Sequence, residues 1–375
     1  MKDSQIHIDN DALVKQFIEL ASIDGISKHE RKVADHISNS LKHLGVSFYE
    51  DQAGKKIDGN AGNIIARIPS DANKHMPLLL MAHMDTVDHT AELNPVIQDG
   101  IIRSSGNTIL GGDDRAGIAV ILYLLESIHK HNLPHRPLEV IFTVAEELGM
   151  LGCLELDFSQ LKAKEGYIFD CSRPPGKFVA KTPTAVDLKI YFKGRASHSG
   201  VAIENGINAF SMALDVLTHF PVGQVDKNTT ANIGTIHGGT AVNVVPETIT
   251  VTGEIRSFNN QTIEKMCRQL NSDCKKVESQ YHGKIDMSCL PAFSGFHLSE
   301  KLHVIQKLKR VYKNLSLQPE GLTYYGGSDA NVVNGHGIQT VNIGIGVKNP
   351  HSYNEEIAVQ DLGTTAELLF NLIRI

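Results

Sequence analysis

Three apolar segments in this chain break off abruptly on charge, and no other feature constrains the fold as much. Leu78-Leu79-Leu80-Met81-Ala82 runs into His83-Met84-Asp85, Phe142-Thr143-Val144 into Ala145-Glu146-Glu147, and Tyr167-Ile168-Phe169 closes on Asp170. Short apolar runs without alternation read as strands buried on both faces, as in parallel sheets covered by helices. The helices are legible as well. Leu13, Phe17 and Leu20, then Val33, Ile37, Leu41 and Leu44, recur at three or four residues, and Arg115 to Lys130 reads as a buried helix. Strands alternating with helices predict an α/β domain with a mixed sheet between helices. Further strands are expected at Asn63 to Ile68, Pro77 to Ala82 and Leu138 to Val144, with a hairpin-like turn at Gln98-Asp99-Gly100.

The pattern changes near Pro183. Strand Val186 to Phe192, helix Ile207 to Phe220, strands Ala231 to Ile236 and Thr248 to Arg256, helix Thr262 to Tyr281 and strand Lys284 to Cys289 spell β-α-β-β-α-β, the ferredoxin-like split unit. The first pattern then resumes with helix Leu298 to Asn314, strand Gln339 to Ile345 and a helix near Gln360 to Ile373. Residues 1–182 and 293–375 are therefore expected to form one domain, interrupted by an inserted domain at 183–292. A length of 375 residues suits one large core and one smaller one.

Composition removes several function classes. Lys plus Arg at 36 against Asp plus Glu at 42 gives a net charge of −6 without long runs of one sign, so nucleic acid is not an expected partner. The longest apolar run, Gly117 to Leu125, is about half of the roughly 20 residues that span a bilayer, and Met1-Lys2-Asp3-Ser4 opens no leader pattern. Neither membrane nor export is expected. The 5 cysteines form an odd set without a Cys-x-x-Cys pair, which suits reduced thiols and a cytoplasmic location.

The chemistry should gather beyond the carboxyl ends of the strands, where open α/β sheets bind ligands. His83 and Asp85, two apart at a strand end, point the same way. Asp113 and Asp114 occupy a glycine-rich turn at the start of a helix. Glu146 and Glu147 would repel each other at a buried strand end unless a cation lay close. Asp170 and the segment Asn349-Pro350-His351-Ser352-Tyr353-Asn354-Glu355 complete the series. A lone His–Asp pair, or acid at a helix start, would need no function, but five such segments converge on one rim. Imidazole and carboxylate without thiolate suit Zn²⁺, Co²⁺ or Mn²⁺, and the number of ligands suits two ions sharing a carboxylate.

The ordered set His83-Met84-Asp85, Gly112-Asp113-Asp114, Glu146-Glu147, Asp170, Ser197-His198-Ser199-Gly200, Asn243-Val244-Val245-Pro246-Glu247 and His351-Ser352 resembles the co-catalytic dizinc exopeptidase and amidohydrolase family. The match covers almost the whole chain and most resembles the peptidase T branch. It implies a zinc-exopeptidase-like catalytic domain with the insertion as a lid or dimerisation domain, through which a homodimer would form. It implies that Asp113 bridges two metals, that His83 and Asp170 complete one and Glu147 and His351 the other, that Asp85 orients His83, and that Glu146 is the general base. The resemblance further implies that His198 stabilises an oxyanion, in its own protomer or across a dimer, and that Asn243 and Arg256 contact substrate. Asp114 is left open between a supporting and a ligand role. Arg115 departs from the family's more frequent lysine.

An Asp at position 170, where acylase and carboxypeptidase relatives carry Glu, accompanies aminopeptidase and dipeptidase activities in this family. The expected reaction is removal of the N-terminal residue from short peptides, a tripeptidase-like step in peptide catabolism. The alternative is an amidohydrolase, deacylase or carboxypeptidase acting on N-acyl amino acids or related amides with the same site. A catalytically silent peptide-binding protein is disfavoured because Glu146 and all five ligands are present.

Overall fold

The computed structural model describes residues 8–70 and 75–374, so the Met1–Ser4 start read above lies outside it. The chain divides into two compact units. One takes the chain up to Lys181 and again from His297, and the other takes Thr182–Phe296.

The larger unit is organised around an eight-stranded sheet, in the order Ser47–Glu50, Ile64–Ile68, Leu138–Thr143, Leu78–His83, Glu165–Cys171, Gln339–Gly344, Lys177–Lys181, Glu320–Thr323. The middle four, from Leu138–Thr143 to Gln339–Gly344, run parallel, with Ala82 opposite Phe142, Met81 opposite Ile168 and Val341 opposite Tyr167. Leu78–His83 and Leu138–Thr143 are buried at every position, which is why their sequences do not alternate. Each fully buried large apolar side chain contributes about 1.5–3 kcal/mol. Glu139, buried mid-strand, gives its carboxylate to the Lys162 and Ala163 N–H groups. Parallel direction puts the carboxyl ends of all four strands on one rim, so His83, Asp170 and the segments after Thr143 and Gly344 leave the sheet on the same side.

Helix Gly112–His131, buried over most of its first four turns, packs on Leu78–His83 and against helices Asn10–Ala21 and Val359–Ile373. Asp9 caps Asn10–Ala21 by accepting from the Ala12 N–H at 3.0 Å, an interaction worth about 1 kcal/mol. The turn expected at Gln98-Asp99-Gly100 joins strands Pro95–Gln98 and Ile101–Ser104. Asp99 (φ 51°) and Gly100 (φ 73°) take the left-handed conformations that a two-residue hairpin demands.

The structure departs from the sequence reading at the margins. Ser47–Glu50, Lys177–Lys181 and Glu320–Thr323 were not expected as strands, and two of them are largely exposed and carry no apolar run. The helix expected from Leu298 begins at His303. A turn closed by the Leu302 N–H on the Ser299 carbonyl precedes it, with the Ser299 hydroxyl accepting from the Lys301 N–H.

In the smaller unit, five antiparallel strands lie in the order Gly223–Asp226, Thr229–Gly238, Thr248–Ser257, Thr184–Lys193, Lys284–Phe293. Without the short Gly223–Asp226 addition this is the ferredoxin-like arrangement. Leu188, Ile190 and Phe192 point inward at every second position and join Met212, Val216, Val251, Ile255 and Leu270 in one core beneath helices Ala209–Thr218 and Asn260–Tyr281.

Candidate metal centre and active site

Asp113 is the hub of the rim. Its Oδ1 lies 3.2 Å from His83 Nε2 and its Oδ2 3.5 Å from His351 Nε2. Each imidazole has a further carboxylate of its own: His83 Nε2 is 3.6 Å from Asp170 Oδ1, and His351 Nε2 is 2.8 Å from Glu147 Oε1. One ligand atom from each of His83, Asp113 and Glu147 lies within 4.8 Å of the others. The two histidines thus share one carboxylate and divide two others.

Local structure sets these positions. His83 ends its strand with Nδ1 3.0 Å from the Asp85 carbonyl and 3.4 Å from its carboxylate, so Nδ1 carries a proton and Nε2 faces Asp113 and Asp170. The fully buried Asp85 also accepts from the Glu146 N–H at 2.9 Å, the Glu147 N–H at 3.1 Å and the Ser27 hydroxyl at 2.6 Å. It therefore fixes His83 and the glutamate turn together. Ala145, which opens that turn, takes φ 50°, uncommon for a residue with a side chain, and its N–H is held at 2.9 Å by buried Glu30. His351 likewise sits at φ 60°.

Asp113 and Asp114 depart from helical φ/ψ, and the peptide between them is cis. Asp114 turns toward backbone donors, the His83 N–H at 3.2 Å and the Gly117 N–H at 3.0 Å, and so ties strand end to helix start. Arg115 is entirely buried: its guanidinium donates to the Met84 carbonyl and, at 3.3 Å, to that of Ile23. It offsets the buried charge of Asp85, while its own pKa is drawn down to about 10 by burial.

Like charges crowd this rim, and the pKa shifts record it. Burial raises Glu146 well above the carboxylate range, with the Asp170 charge adding to the effect. Burial lifts Asp170 to about 7 although His83 opposes it. Asp113 goes the other way, because its contacts with His351 and His83 outweigh burial. His83, although buried, is raised well above 6.5 by Asp113, Asp170 and Asp85, and His351 is raised to about 10 by Asp113 and Glu147. A cluster this acidic that must hold protons on its imidazoles matches the charge and donor chemistry of divalent cations.

Glu146 and Glu147 are treated differently. Glu147 is paired with His351, whereas no hydrogen bond or ion pair engages the Glu146 carboxylate among the described residues.

The insertion's candidates fall into two groups. His198 is exposed, and its Nδ1 accepts from the Gly200 N–H at 3.2 Å, so Nε2 carries the ring proton. Its loop is bonded to that of Asn243, with the Ser199 N–H on the Asn243 carbonyl at 3.0 Å and His198 bridged to Val244. Arg256 is not with them. It pairs with Ala185, eight residues along Thr248–Ser257 from the end that leads to Asn243, roughly 27 Å of strand. Its guanidinium forks onto Glu254 at 3.0 and 2.9 Å and lies over the Phe293 ring.

Three buried carboxylates had no role assigned from sequence. Glu355 accepts from the Gly111 N–H at 2.7 Å and the Asp113 N–H at 3.0 Å, locking the loop that carries His351 to the turn that carries Asp113. Asp329, in the stretch Gly326-Gly327-Ser328-Asp329-Ala330, accepts from the Thr143 hydroxyl at 2.6 Å, and burial raises it to about 6. Glu30 supports Ala145. The two glycines before Ser328 are a local signal that could have found Asp329; Glu30 has none.

Comparison with known proteins bears on this geometry. Residues 63–162 match the model of peptidase family M28, and residues 182–282 match the peptidase dimerisation domain. The chain is 31% identical to the uncharacterized Bacillus subtilis protein YqjE over 96% of this chain and 97% of that one. It superposes on the aminopeptidase PepT of Bacillus cereus with a TM-score of 0.88 at 34% identity, covering 98% of both chains. The chain belongs to the peptidase T-like metallopeptidases. A Staphylococcus aureus tripeptidase gives a TM-score of 0.91 at 30% identity, again over 98% of both chains. This peptidase T-like chain is accordingly a metal-dependent peptidase with a catalytic α/β unit and an inserted dimerisation-type domain. All five of its cysteines are free, and no helix among the described residues is long and apolar enough to cross a membrane.

Proposed function

We propose that this peptidase removes the N-terminal residue from short peptides, tripeptides foremost, using two divalent cations, zinc in the first instance and cobalt or manganese as substitutes. The observation that carries the reading is the division of ligands around Asp113: one oxygen toward His83 with Asp170, the other toward His351 with Glu147. Two sets of three ligands sharing one carboxylate are what a two-metal site needs, and a single tetrahedral ion would leave carboxylates over.

When bound, the cations supply acidification of water and polarisation of the scissile carbonyl. Glu146, the carboxylate without a partner, takes a proton from the attacking water and returns it to the leaving amine. Asp85 keeps His83 Nε2 turned to its metal. His198, with its proton on Nε2, donates to the developing oxyanion, and Asn243 contacts the peptide. The dimerisation-type domain supports a homodimer, and His198 acts within one protomer or across two. Mixing His198→Ala with a metal-site variant tells which, since recovered activity requires the histidine to cross the interface.

The reading is tested by offering the zinc-loaded protein di-, tri- and tetrapeptides beside N-acetyl and N-succinyl amino acids, with products read by mass. Release of the free N-terminal residue from tripeptides is expected. Cleavage of the acylated panel alone would overturn the aminopeptidase assignment in favour of an amidohydrolase.

A further inference from the structure

The rim opposite the metal ligands has its own electrostatic feature. At the amino ends of the central strands a cavity of about 340 Å³ opens among Arg136, Lys307, Arg310, Arg374, His75 and Asn371. Arg136 stands two residues before strand Leu138–Thr143, and Lys307 and Arg310 lie on successive turns of helix His303–Asn314. Six residues of strand separate this end from the other, roughly 20 Å, so the cavity is separate from the metal centre.

Its charge is one-sided. No carboxylate lines it among the described residues, and the neighbouring acid is Glu165, 3.8 Å from Arg136 Nη1 and already held by His303 Nδ1 at 2.8 Å. Arg136 is nearly buried and anchored, with Nε and Nη2 on the Met76 carbonyl at 3.0 and 2.6 Å. The Lys307 ammonium donates to the Arg374 carbonyl at 3.1 Å, which leaves two of its three protons for another acceptor. Neither Lys307 nor Arg310 has a carboxylate within ion-pair distance among the described residues. Burial, with Arg136 and Arg310 alongside, pushes Lys307 down to about 8. Like charges gathered in a recess repel one another, and Glu165, the acid beside them, is shared with His303.

We propose that this cavity is a binding site for a phosphate group, free or on a small metabolite. Guanidinium groups present paired donors that match phosphate oxygens, and the lysine adds a point charge. The volume lies at the low end of ligand clefts, roughly 300–1,000 Å³, which fits a small molecule.

The test is calorimetric titration of the metal-loaded enzyme with inorganic phosphate in chloride buffer, comparing wild type with the Lys307→Gln/Arg310→Gln pair and with Asp113→Ala. Because phosphate is also a ligand for metal, the three proteins are read together. The expected result is a binding event that weakens at least tenfold in the Lys307→Gln/Arg310→Gln protein, persists in Asp113→Ala, and leaves metal content and peptide hydrolysis of the double variant at wild-type levels. Glycerol 3-phosphate binding more tightly than inorganic phosphate assigns the site to an ester, and equal binding assigns it to free phosphate. Phosphate binding that is unchanged in the double variant, lost only in Asp113→Ala, or no stronger than that of chloride would overturn the proposal.

Discussion

Glu355 offers a quantitative test of how the centre is held together. Glu355 is buried, and its two oxygens each accept one backbone N–H, from Gly111 and Asp113. Glu355→Gln keeps the shape but replaces one acceptor with an NH₂ group, so one buried N–H faces a donor. An unsatisfied buried donor costs about 1–3 kcal/mol. If about 2 kcal/mol of that falls on the ligand-bearing arrangement of the Asp113 turn, cation binding weakens roughly 30-fold, since each tenfold step is about 1.4 kcal/mol. The same order, about 10- to 100-fold, is usual when the group that orients a metal ligand is removed. Competition against a chromogenic chelator, followed for each binding step, measures it. Both steps should weaken, because Glu355 joins the loop of His351 to the ligand shared by both sites. Wild-type affinity in a variant that melts normally would refute the argument that Glu355 positions Asp113.

Further outcomes follow from the same contacts. Glu146→Gln should keep its metal and lose about 10²- to 10⁴-fold in kcat, the usual range for a general base, whereas Glu147→Gln should lose metal and be partly rescued by added zinc or cobalt; the reverse pattern in metal analysis and kinetics would exchange their roles. His198→Ala should lower kcat by about 10²- to 10³-fold with metal content intact, and an unchanged kcat would return His198 to a surface turn. Glu30 has a folded-state pKa of about 7, above its ordinary 4.5, owing to burial and then Asp85. The stability of its protonated form is complete below about 4.5 and declines as pH rises through about 7, a decline that Glu30→Gln escapes. The melting temperature of the variant minus that of wild type should therefore grow between pH 5 and pH 8, and a difference independent of pH would contradict a protonated Glu30.

The parts of the site that lie at strand ends were legible because burial on both faces forces an unbroken apolar run, so a charge where the run stops stands out. His83, Asp170 and the Glu146-Glu147 pair are of this kind. Glu355 and Glu30 had no role legible in the sequence, because what defines them is contact with distant chain: Glu355 meets Asp113 242 positions away, and Glu30 meets Ala145 115 positions away. Nothing local marks such a carboxylate as buried. The exposed strands Ser47–Glu50 and Glu320–Thr323 escaped for the opposite reason, since a strand with little buried surface needs no apolar pattern. In the insertion, alternation along Thr184–Lys193 revealed the sheet, but periodicity carries no information about which end of a strand a residue occupies. That is why Arg256 was grouped with His198 and Asn243, although it lies at the other end.

The central claim is that Asp113 is shared between two cations. Elemental analysis of protein saturated with zinc or cobalt and freed of excess metal tests it directly, on wild type, His351→Ala and Asp113→Ala. Two ions per wild-type chain are expected, with His351→Ala chiefly weakening one and Asp113→Ala lowering both together. One tightly bound ion in the saturated wild type, or an Asp113→Ala protein that still holds one at full occupancy, would contradict the account.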